Sequence, residues 1–272
     1  MSPASAGEGG APGALLAPLL ADPSRSAVLT DVDGVLAPIA ERPEQAAVPD
    51  EARAALAELS GRYGLVGCVS GRRAAEAREL VGLDGIAYAG NHGLELLAPG
   101  AAEPRLDAGL GEAEGAARAF LDGLDGEALD AAGLRREDKA AIQALHWRGA
   151  ADEAAAEARA REVAGAAAGS GLEPRWGRKV LELRPAGAGG KDAAVTALLD
   201  GGGLRAAIYA GDDRTDLDAF RRLRELRAAG SLDAAVCVGV VSTEGPPQIA
   251  EQADLTVEGP PGWLAVLHAL AG

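Results

Sequence analysis

The sequence predicts an α/β protein: a Rossmann-like, doubly wound parallel sheet forms the core, and an α+β cap domain is inserted into it. Two observations lead to this fold class. Short apolar runs alternate with helical patterns in the first and last thirds of the chain, which is typical of βαβ units. Between them, alanine-rich helices mix with strands of alternating hydrophobicity, and this change of pattern indicates an insertion.

The predicted elements follow that division. Residues 1–22 form a disordered lead-in and a first helix, residues 23–102 the first part of the core, residues 103–186 the cap, and residues 187–272 the second part of the core. The core strands are predicted at residues 27–30, 65–69, 86–89, 206–210, 234–240 and 254–257. The core helices are predicted at residues 51–59, 74–81, 192–199, 216–227 and 262–270. In the cap, helices are predicted at 112–124 and 151–167, strands at 141–147 and 179–183, and hinges near 93–100 and 186–190.

Composition excludes several classes of function. The formal net charge is -15, so a polyanion such as nucleic acid would be repelled on average. No apolar run is long enough to cross a bilayer, and no secretory leader is evident, so we expect a cytoplasmic protein with no membrane partner. Cys68 and Cys237 each lie in an apolar run and are expected to be core residues. A small phosphorylated substrate would meet the same repulsion, so a phosphate site must rely on local cations or a metal.

Aspartates follow two of the predicted strands, at the point where each strand ends. AVLTDVDGVLAPI presents Asp31 and Asp33, and IYAGDDRTDLDAF presents Asp212, Asp213 and Asp216. Ligands bind at the carboxyl ends of strands in open α/β sheets, so the two clusters are expected to converge. Carboxylates this close oppose each other's ionisation unless a cation lies among them. A hard divalent ion with oxygen ligands, most simply Mg²⁺, is the expected cofactor.

Two further segments fit a phosphate site. In CVSGRR, Ser70 and Gly71 end a strand and lead into a helix, where a hydroxyl and backbone N–H groups can hold phosphate oxygens. In GAGGKDAAV, Lys191 begins another helix and could neutralise the phosphoryl group and the nucleophile together. Lysine is rare in this arginine-rich chain, being present only as Lys139, Lys179 and Lys191, which suggests that a compact point charge is needed at these positions.

These four segments, in this order, resemble the motifs of the haloacid dehalogenase superfamily: DxD, then Ser or Thr, then Lys, then GDDxxD. The resemblance implies that Asp31 is a nucleophile that becomes an aspartyl-phosphate, and that Asp33 is first general acid and then general base. It further implies that Mg²⁺ is held by Asp31, the main-chain carbonyl of Asp33 and Asp212. Asp213 and Asp216 would contact the metal ligands without binding the metal themselves, or would orient Lys191. Lys191 is implied to be the third catalytic residue.

From about Val28 onward the chain is also similar to the trehalose-6-phosphate phosphatase family, through DVDGVLAPI, VSGR, GNHGLE, REDKAAIQALHWR, VLELRP, GGKDAAV and GDDRTDLDAF. The resemblance implies hydrolysis of trehalose 6-phosphate, with sugar hydroxyls contacted by Glu137, Lys139 and Glu182 of the cap. It implies a substrate-binding segment made of Ser70, Gly71 and Arg72. Asn91 and His92 are expected to shape the turn at the cap hinge, whereas His146 could either bind sugar or be buried.

Three alternatives stay open from the sequence. A related capped phosphatase could act on another sugar phosphate, of the sucrose phosphate or mannosyl-phosphoglycerate type, because only the cap sets specificity. A phosphomutase would also form an aspartyl-phosphate, but the cap is inserted after SGR rather than just after DxD. A non-catalytic sugar-phosphate sensor would not need every catalytic group retained. In each case the partner is a small-molecule sugar phosphate, and the protein is expected to act as a monomer.

Overall fold

Two β-sheets organise the chain. The structure, a computed structural model, describes residues 12–40, 42–106, 115–139, 141–186 and 189–272. Within these ranges the strands, in chain order, are β1 (Ser26–Thr30), β2 (Leu65–Val69), β3 (Ala87–Gly90), β4 (Glu95–Leu97), β5 (Arg105–Leu106), β6 (Arg135–Lys139), β7 (Ile142–His146), β8 (Leu172–Gly177), β9 (Val180–Pro185), β10 (Ala206–Gly211), β11 (Ala234–Val241) and β12 (Leu255–Glu258).

Helices connect and cover these strands. In chain order they are α1 (Pro12–Ala21), α2 (Asp50–Ser60), α3 (Ala74–Val81), α4 (Ala116–Asp122), α5 (Gly126–Ala131), α6 (Glu153–Gly169), α7 (Lys191–Leu199), α8 (Asp216–Ala228), α9 (Pro247–Gln252) and α10 (Gly259–Ala271). None of the helices described is long and apolar enough to cross a membrane.

The larger sheet has the strand order β12-β11-β10-β1-β2-β3-β4-β5. From β12 to β3 all neighbours are parallel, and β4 and β5 add an antiparallel edge. The chain winds from β1 to β3 in one direction and from β10 to β12 in the other, so the winding reverses between β1 and β10. Thr30 pairs with Ala210 in register, and both strands therefore end at the same edge of the sheet. This is where a doubly wound sheet opens a ligand crevice.

Apolar layers cover both faces of this sheet, as expected for strands that are buried on both sides. On one face, Leu56 of α2 and Trp263 of α10 belong to the same core as Val28 of β1. On the other face, Val195 of α7 and Phe220 of α8 pack with β-strand residues that point the opposite way. The mixed α/β fold with a mostly parallel central sheet that the sequence predicts is thus confirmed.

The smaller sheet, with strand order β6-β7-β9-β8, is antiparallel and forms the cap. Leu181 and Leu183 of β9 belong to an apolar core with Leu121 of α4 and Val163 of α6, so these helices cover one face. Glu182 alternates with the two leucines and therefore points to the other face, which looks onto the core domain. The boundaries at 102/103 and 186/187 stay a prediction.

Several elements differ from the sequence prediction. The stretch expected to be a hinge near residues 93–100 contains β4, which extends the core sheet. Strand β6 was not predicted, because RREDK contains no apolar residue. Strand β8 was not predicted either, because LEPRWG contains a proline, which argues against a strand. Helices α5 and α9 were also not predicted. Residues 112–114, where a helix was expected to begin, and residues 1–11 of the lead-in lie outside the described ranges.

Candidate active site

Asp31 lies directly after β1, at the reversal point of the sheet. Its N–H donates to the carbonyl of Ala210 at 2.9 Å, and its Oδ1 accepts from the N–H of Val32 at 2.6 Å. Gly34 then turns the chain with φ +83°. A Cβ at Gly34 would lie 2.0 Å from Oδ2 of Asp212, so this turn requires glycine to bring the two strand ends together.

Lys191 lies between two carboxylates at this edge of the sheet. Its Nζ donates to Oδ2 of Asp31 at 2.6 Å and to Oδ1 of Asp216 at 2.7 Å, and its side chain is only 2% exposed. Burial opposes the charge of the ammonium group, but Asp216 and Asp31 together raise the pKa of Lys191 above its ordinary value. The lysine is therefore charged and serves as the counterion of both aspartates.

Asp216 is held by donors on every side. Its Oδ1 also accepts from the hydroxyl of Tyr209 at 2.6 Å, while its Oδ2 accepts from the N–H groups of Asp212 and Asp213 at 3.0 and 2.9 Å. Since both oxygens are engaged within the protein, Asp216 is placed to orient Lys191. Tyr209 carries no sequence signal for this contact, because it lies within a continuous apolar strand.

Carboxylate oxygens of Asp31, Asp212 and Asp216 all lie within 4.8 Å of one another, and all three residues are buried. Burial raises the pKa of Asp31 to about 7, and the charge of Asp216 adds to this while Lys191 opposes it. Burial and the charge of Asp31 also raise the pKa of Asp212 well above its ordinary value. Such crowded oxygens could hold a hard divalent cation, which would relieve this repulsion.

Arg178, in the turn between β8 and β9, reaches from the cap to Asp212. Its Nη2 donates to the main-chain carbonyl of Asp212 at 2.9 Å and lies 3.0 Å from Oδ2 in an ion pair. That oxygen, although buried, has no partner with hydrogen-bond geometry among the described residues. The sequence offers no signal for Arg178, since one arginine in a polar turn of an arginine-rich chain has no distinguishing pattern.

Asp33 and Arg72 form a bidentate pair. The guanidinium donates from Nε to Oδ2 and from Nη2 to Oδ1 of Asp33, both at 2.8 Å, and also reaches the carbonyl of Pro43 at 3.0 Å. Ser70 is buried, and its Oγ accepts from the N–H of Arg72 at 3.1 Å. Gly71 and Arg72 of the predicted phosphate-binding segment line a cavity that lies between the core strand ends and the smaller sheet.

The predicted sugar contacts come together on the inner face of the cap. Glu137 and Glu182 both pair in register with Ala144 of β7, so they occupy one row across three strands. Lys139 donates to Oε1 of Glu182 at 2.9 Å, and its Nζ lies 3.8 Å from Glu137. His146 lies beside the same row, with Nε2 2.6 Å from Glu137, so this histidine lines the cavity in a polar pair.

Residues at the ends of the core strands and on the polar face of the smaller sheet line a cavity of about 190 Å³. On the same measure a single water needs about 10 to 15 Å³, so the space could admit a small polar ligand. Basic side chains outnumber acidic ones in its lining, the reverse of the whole chain, which supplies the local cations that a phosphate site requires. The basic lining residues are Arg42, Arg72, Arg135, Lys139, Arg148, Arg175, Arg178 and Lys191.

Known proteins with sequences similar to this chain include trehalose-phosphate phosphatases. The family model described as Trehalose-phosphatase matches residues 29–260. The trehalose-phosphate phosphatase of Mycolicibacterium paratuberculosis is 34% identical over 213 residues, covering 73% of this chain and 51% of that protein. An uncharacterized glycosyl hydrolase of Mycobacterium tuberculosis is 38% identical over 216 residues, which are 74% of this chain and 15% of that protein. The chain thus spans about half the length of the trehalose-phosphate phosphatases it matches.

Solved structures show the same fold. The C-terminal domain of the C. albicans trehalose-6-phosphate phosphatase superposes with a TM-score of 0.81 at 23% sequence identity, covering 96% of this chain and 97% of that one. A trehalose-6-phosphate phosphatase related protein superposes with a TM-score of 0.68 at 24% identity, over 90% of this chain and 96% of that one. The extent of the family match, which spans both parts of the core and the cap, shows that the chain belongs to the trehalose-phosphatase family.

Proposed function

We propose that this chain is a magnesium-dependent phosphatase that hydrolyses trehalose 6-phosphate to trehalose and phosphate through an aspartyl-phosphate on Asp31. The observation that carries the proposal is the convergence of Asp31, Lys191 and Asp212 where the winding of the sheet reverses. This site opens into a cavity that the polar face of the cap completes. Family membership supports the substrate class.

In the first step, a carboxylate oxygen of Asp31 attacks the phosphorus and the bond from phosphorus to the sugar oxygen breaks. Asp33 gives a proton to that oxygen as the sugar leaves. In the second step, Asp33 takes a proton from water, the water oxygen attacks phosphorus, and Asp31 is released with inorganic phosphate. Lys191, 2.6 Å from Asp31, holds the nucleophile in place and offsets the charge that gathers around it.

Arg72 has to change partners during this cycle. In the structure its guanidinium occupies both oxygens of Asp33, the residue that has to reach the leaving sugar oxygen. A bound phosphate is a competing bidentate acceptor for a guanidinium. Transfer of Arg72 from Asp33 to the phosphate would free the carboxyl oxygens of Asp33 to face the leaving sugar.

The donor set fits Mg²⁺. Asp31 and Asp212 offer carboxylate oxygens, and the buried Oδ2 of Asp212 lacks a hydrogen-bond partner within the described ranges. The family resemblance implies the main-chain carbonyl of Asp33 as a third ligand. When bound, the ion would withdraw charge from the phosphoryl oxygens and orient the phosphate for in-line attack. Asp213 and Asp216 would stay behind the ligands, with Asp216 orienting Lys191.

The cap supplies sugar recognition in this proposal. Glu137, Lys139 and Glu182 lie on the face that looks into the cavity, and charged groups are strong partners for sugar hydroxyls. A cytoplasmic location and a monomeric state remain predictions.

Phosphate release tests the proposal. Purified protein is incubated with trehalose 6-phosphate, sucrose phosphate, mannosyl-phosphoglycerate and glucose 6-phosphate, each with Mg²⁺ and with a chelator. We expect release from trehalose 6-phosphate, with Mg²⁺ only. Asp31→Asn should abolish it while the circular dichroism spectrum stays unchanged, and Asp84→Asn, an exposed control, should retain it. Equal release from every sugar would reject the trehalose assignment, and substantial activity of Asp31→Asn would reject the nucleophile.

A further inference from the structure

His92 forms a polar contact between the core and the cap. Its Nε2 lies 2.7 Å from Oε2 of Glu182, and both side chains are buried. The other oxygen of Glu182 accepts from Lys139 at 2.9 Å, and Lys139 also donates to the carbonyl of Gly71 at 3.0 Å. Among the described residues, a histidine of the core domain thus makes one of the two hydrogen bonds that orient the carboxylate of Glu182.

The backbone that carries His92 is built for this contact. Asn91, His92 and Gly93 all have positive φ angles, of 47°, 56° and 102°, which is unusual for residues other than glycine. Two hydrogen bonds tie the turn to the phosphate-binding segment: His92 N–H to the carbonyl of Ser70 at 2.9 Å, and Asn91 N–H to that of Arg72 at 2.7 Å. Strained backbone of this kind is retained where the surrounding structure requires it.

Gly71 leaves the space that the imidazole occupies. A Cβ at this position would lie 2.8 Å from Nε2 of His92, closer than real Cβ contacts allow. The glycine therefore does more than lead into a helix, because any side chain here would push the imidazole away from Glu182.

The proton of the pair can be assigned. Burial lowers the pKa of His92, so the imidazole is neutral at neutral pH. Nδ1 is buried and has no hydrogen-bond partner in the part of the chain that the structure describes. Glu182 can only accept, because burial opposes its charge but His92 and Lys139 hold its pKa well below the usual range. The proton is therefore on Nε2, which donates to Glu182.

We propose that His92 is a positioning residue for sugar recognition, which fixes the carboxylate of Glu182 across the domain boundary so that its remaining lone pairs face the sugar hydroxyls. This inference rests on the proposed function. A carboxylate offers about four acceptor sites, and His92 and Lys139 use two of them. Without His92 the carboxylate could rotate about its terminal torsion, which has a broad energy well. The pair of His146 and Glu137 lies wholly within the cap and cannot link the domains in this way.

Two substrates separate positioning from a general structural role. Trehalose 6-phosphate needs the cap contacts, whereas p-nitrophenyl phosphate needs only the phosphate site. For His92→Ala, we expect kcat/KM on trehalose 6-phosphate to fall roughly 10- to 100-fold, mainly through KM, as for loss of a hydrogen bond to a charged group. The value for p-nitrophenyl phosphate should change less than about twofold. His92→Gln keeps an N–H donor of similar reach and should recover most of the loss.

His268→Gln is the matched control, because this histidine is exposed near the end of α10, and it should behave as wild type. A double-mutant cycle adds a second readout: in a Glu182→Ala background, His92→Ala should cost little more. Equal losses on both substrates, fully additive losses in the cycle, or no loss at all would each overturn the positioning role. Inactivity of the wild-type protein on every sugar phosphate would instead reject the proposed function, and this inference with it.

Discussion

Replacing Lys191 with methionine tests whether this lysine is the internal counterion of the site. Methionine keeps an unbranched side chain of similar length, so the change removes the charge with little change in volume. The ammonium group lies 2.6 Å from Asp31 and 2.7 Å from Asp216, and all three residues are buried. The substitution leaves two buried carboxylates without their shared cation.

Breaking a buried ion pair by removing one partner costs about 3 to 5 kcal/mol, because the remaining charge stays desolvated. Two pairs are lost here, but one freed carboxylate can bind a proton, which limits the cost. We therefore expect the free energy of unfolding to fall by about 3 to 5 kcal/mol in the metal-free protein. Phosphatase activity should be lost as well.

Urea denaturation in the presence of a chelator measures this change. The chain provides its own control in Lys179, which pairs with Glu153 at 2.8 Å but on the surface. Lys179→Met should have little effect on stability, because solvent screens exposed pairs. Equal, small losses for the two variants would refute the assignment of Lys191 as a buried counterion.

Two further predictions concern cation binding. Since the pKa of Asp31 is raised from 3.8 to about 7, the folded metal-free protein binds a proton more tightly than the unfolded chain, so its stability should fall as pH rises across that window. Mg²⁺ competes with that proton, so the rise in melting temperature on adding Mg²⁺ should be larger at pH 8 than at pH 6 in differential scanning fluorimetry. Equal rises at the two pH values would contradict this. Arg178→Ala removes a cation 3.0 Å from Asp212, so calorimetry should show Mg²⁺ binding on the order of tenfold tighter. Weaker binding would mean that Arg178 helps to form the site.

Local patterns were sufficient to predict the core. The apolar run before Asp31 predicts a buried strand that ends at the aspartate, and the structure has β1 end at Thr30. The runs that form β2 and β10 are recognised in the same way, because each is continuous, apolar and short. Parallel strands bring their carboxyl ends to one edge, so the meeting of Asp31 with Asp212 could be expected from topology.

The cap was less predictable. The segment RREDK forms β6 although it contains no apolar residue, because hydrogen bonds to β7 set its conformation. Its role as an edge strand leaves Arg135 and Arg136 exposed, a pattern that a sequence window cannot tell from a solvated loop. Glu137 was identified only through resemblance to a family, and the same resemblance gave Lys139, already notable as one of three lysines, its sugar-binding role.

The sequence by itself determined the α/β class, the strands that end in aspartates and the lysine at the start of α7, because these depend on short-range hydrophobic patterns and residue chemistry. Only the tertiary structure decided the pairing of Arg72 with Asp33, the reach of Arg178 to Asp212 and the contact of His92 with Glu182. These pairs join residues far apart in the chain. The first pair depends on which strands are neighbours in the core sheet, and the other two depend on how the cap packs on the core. No local periodicity of the sequence encodes either.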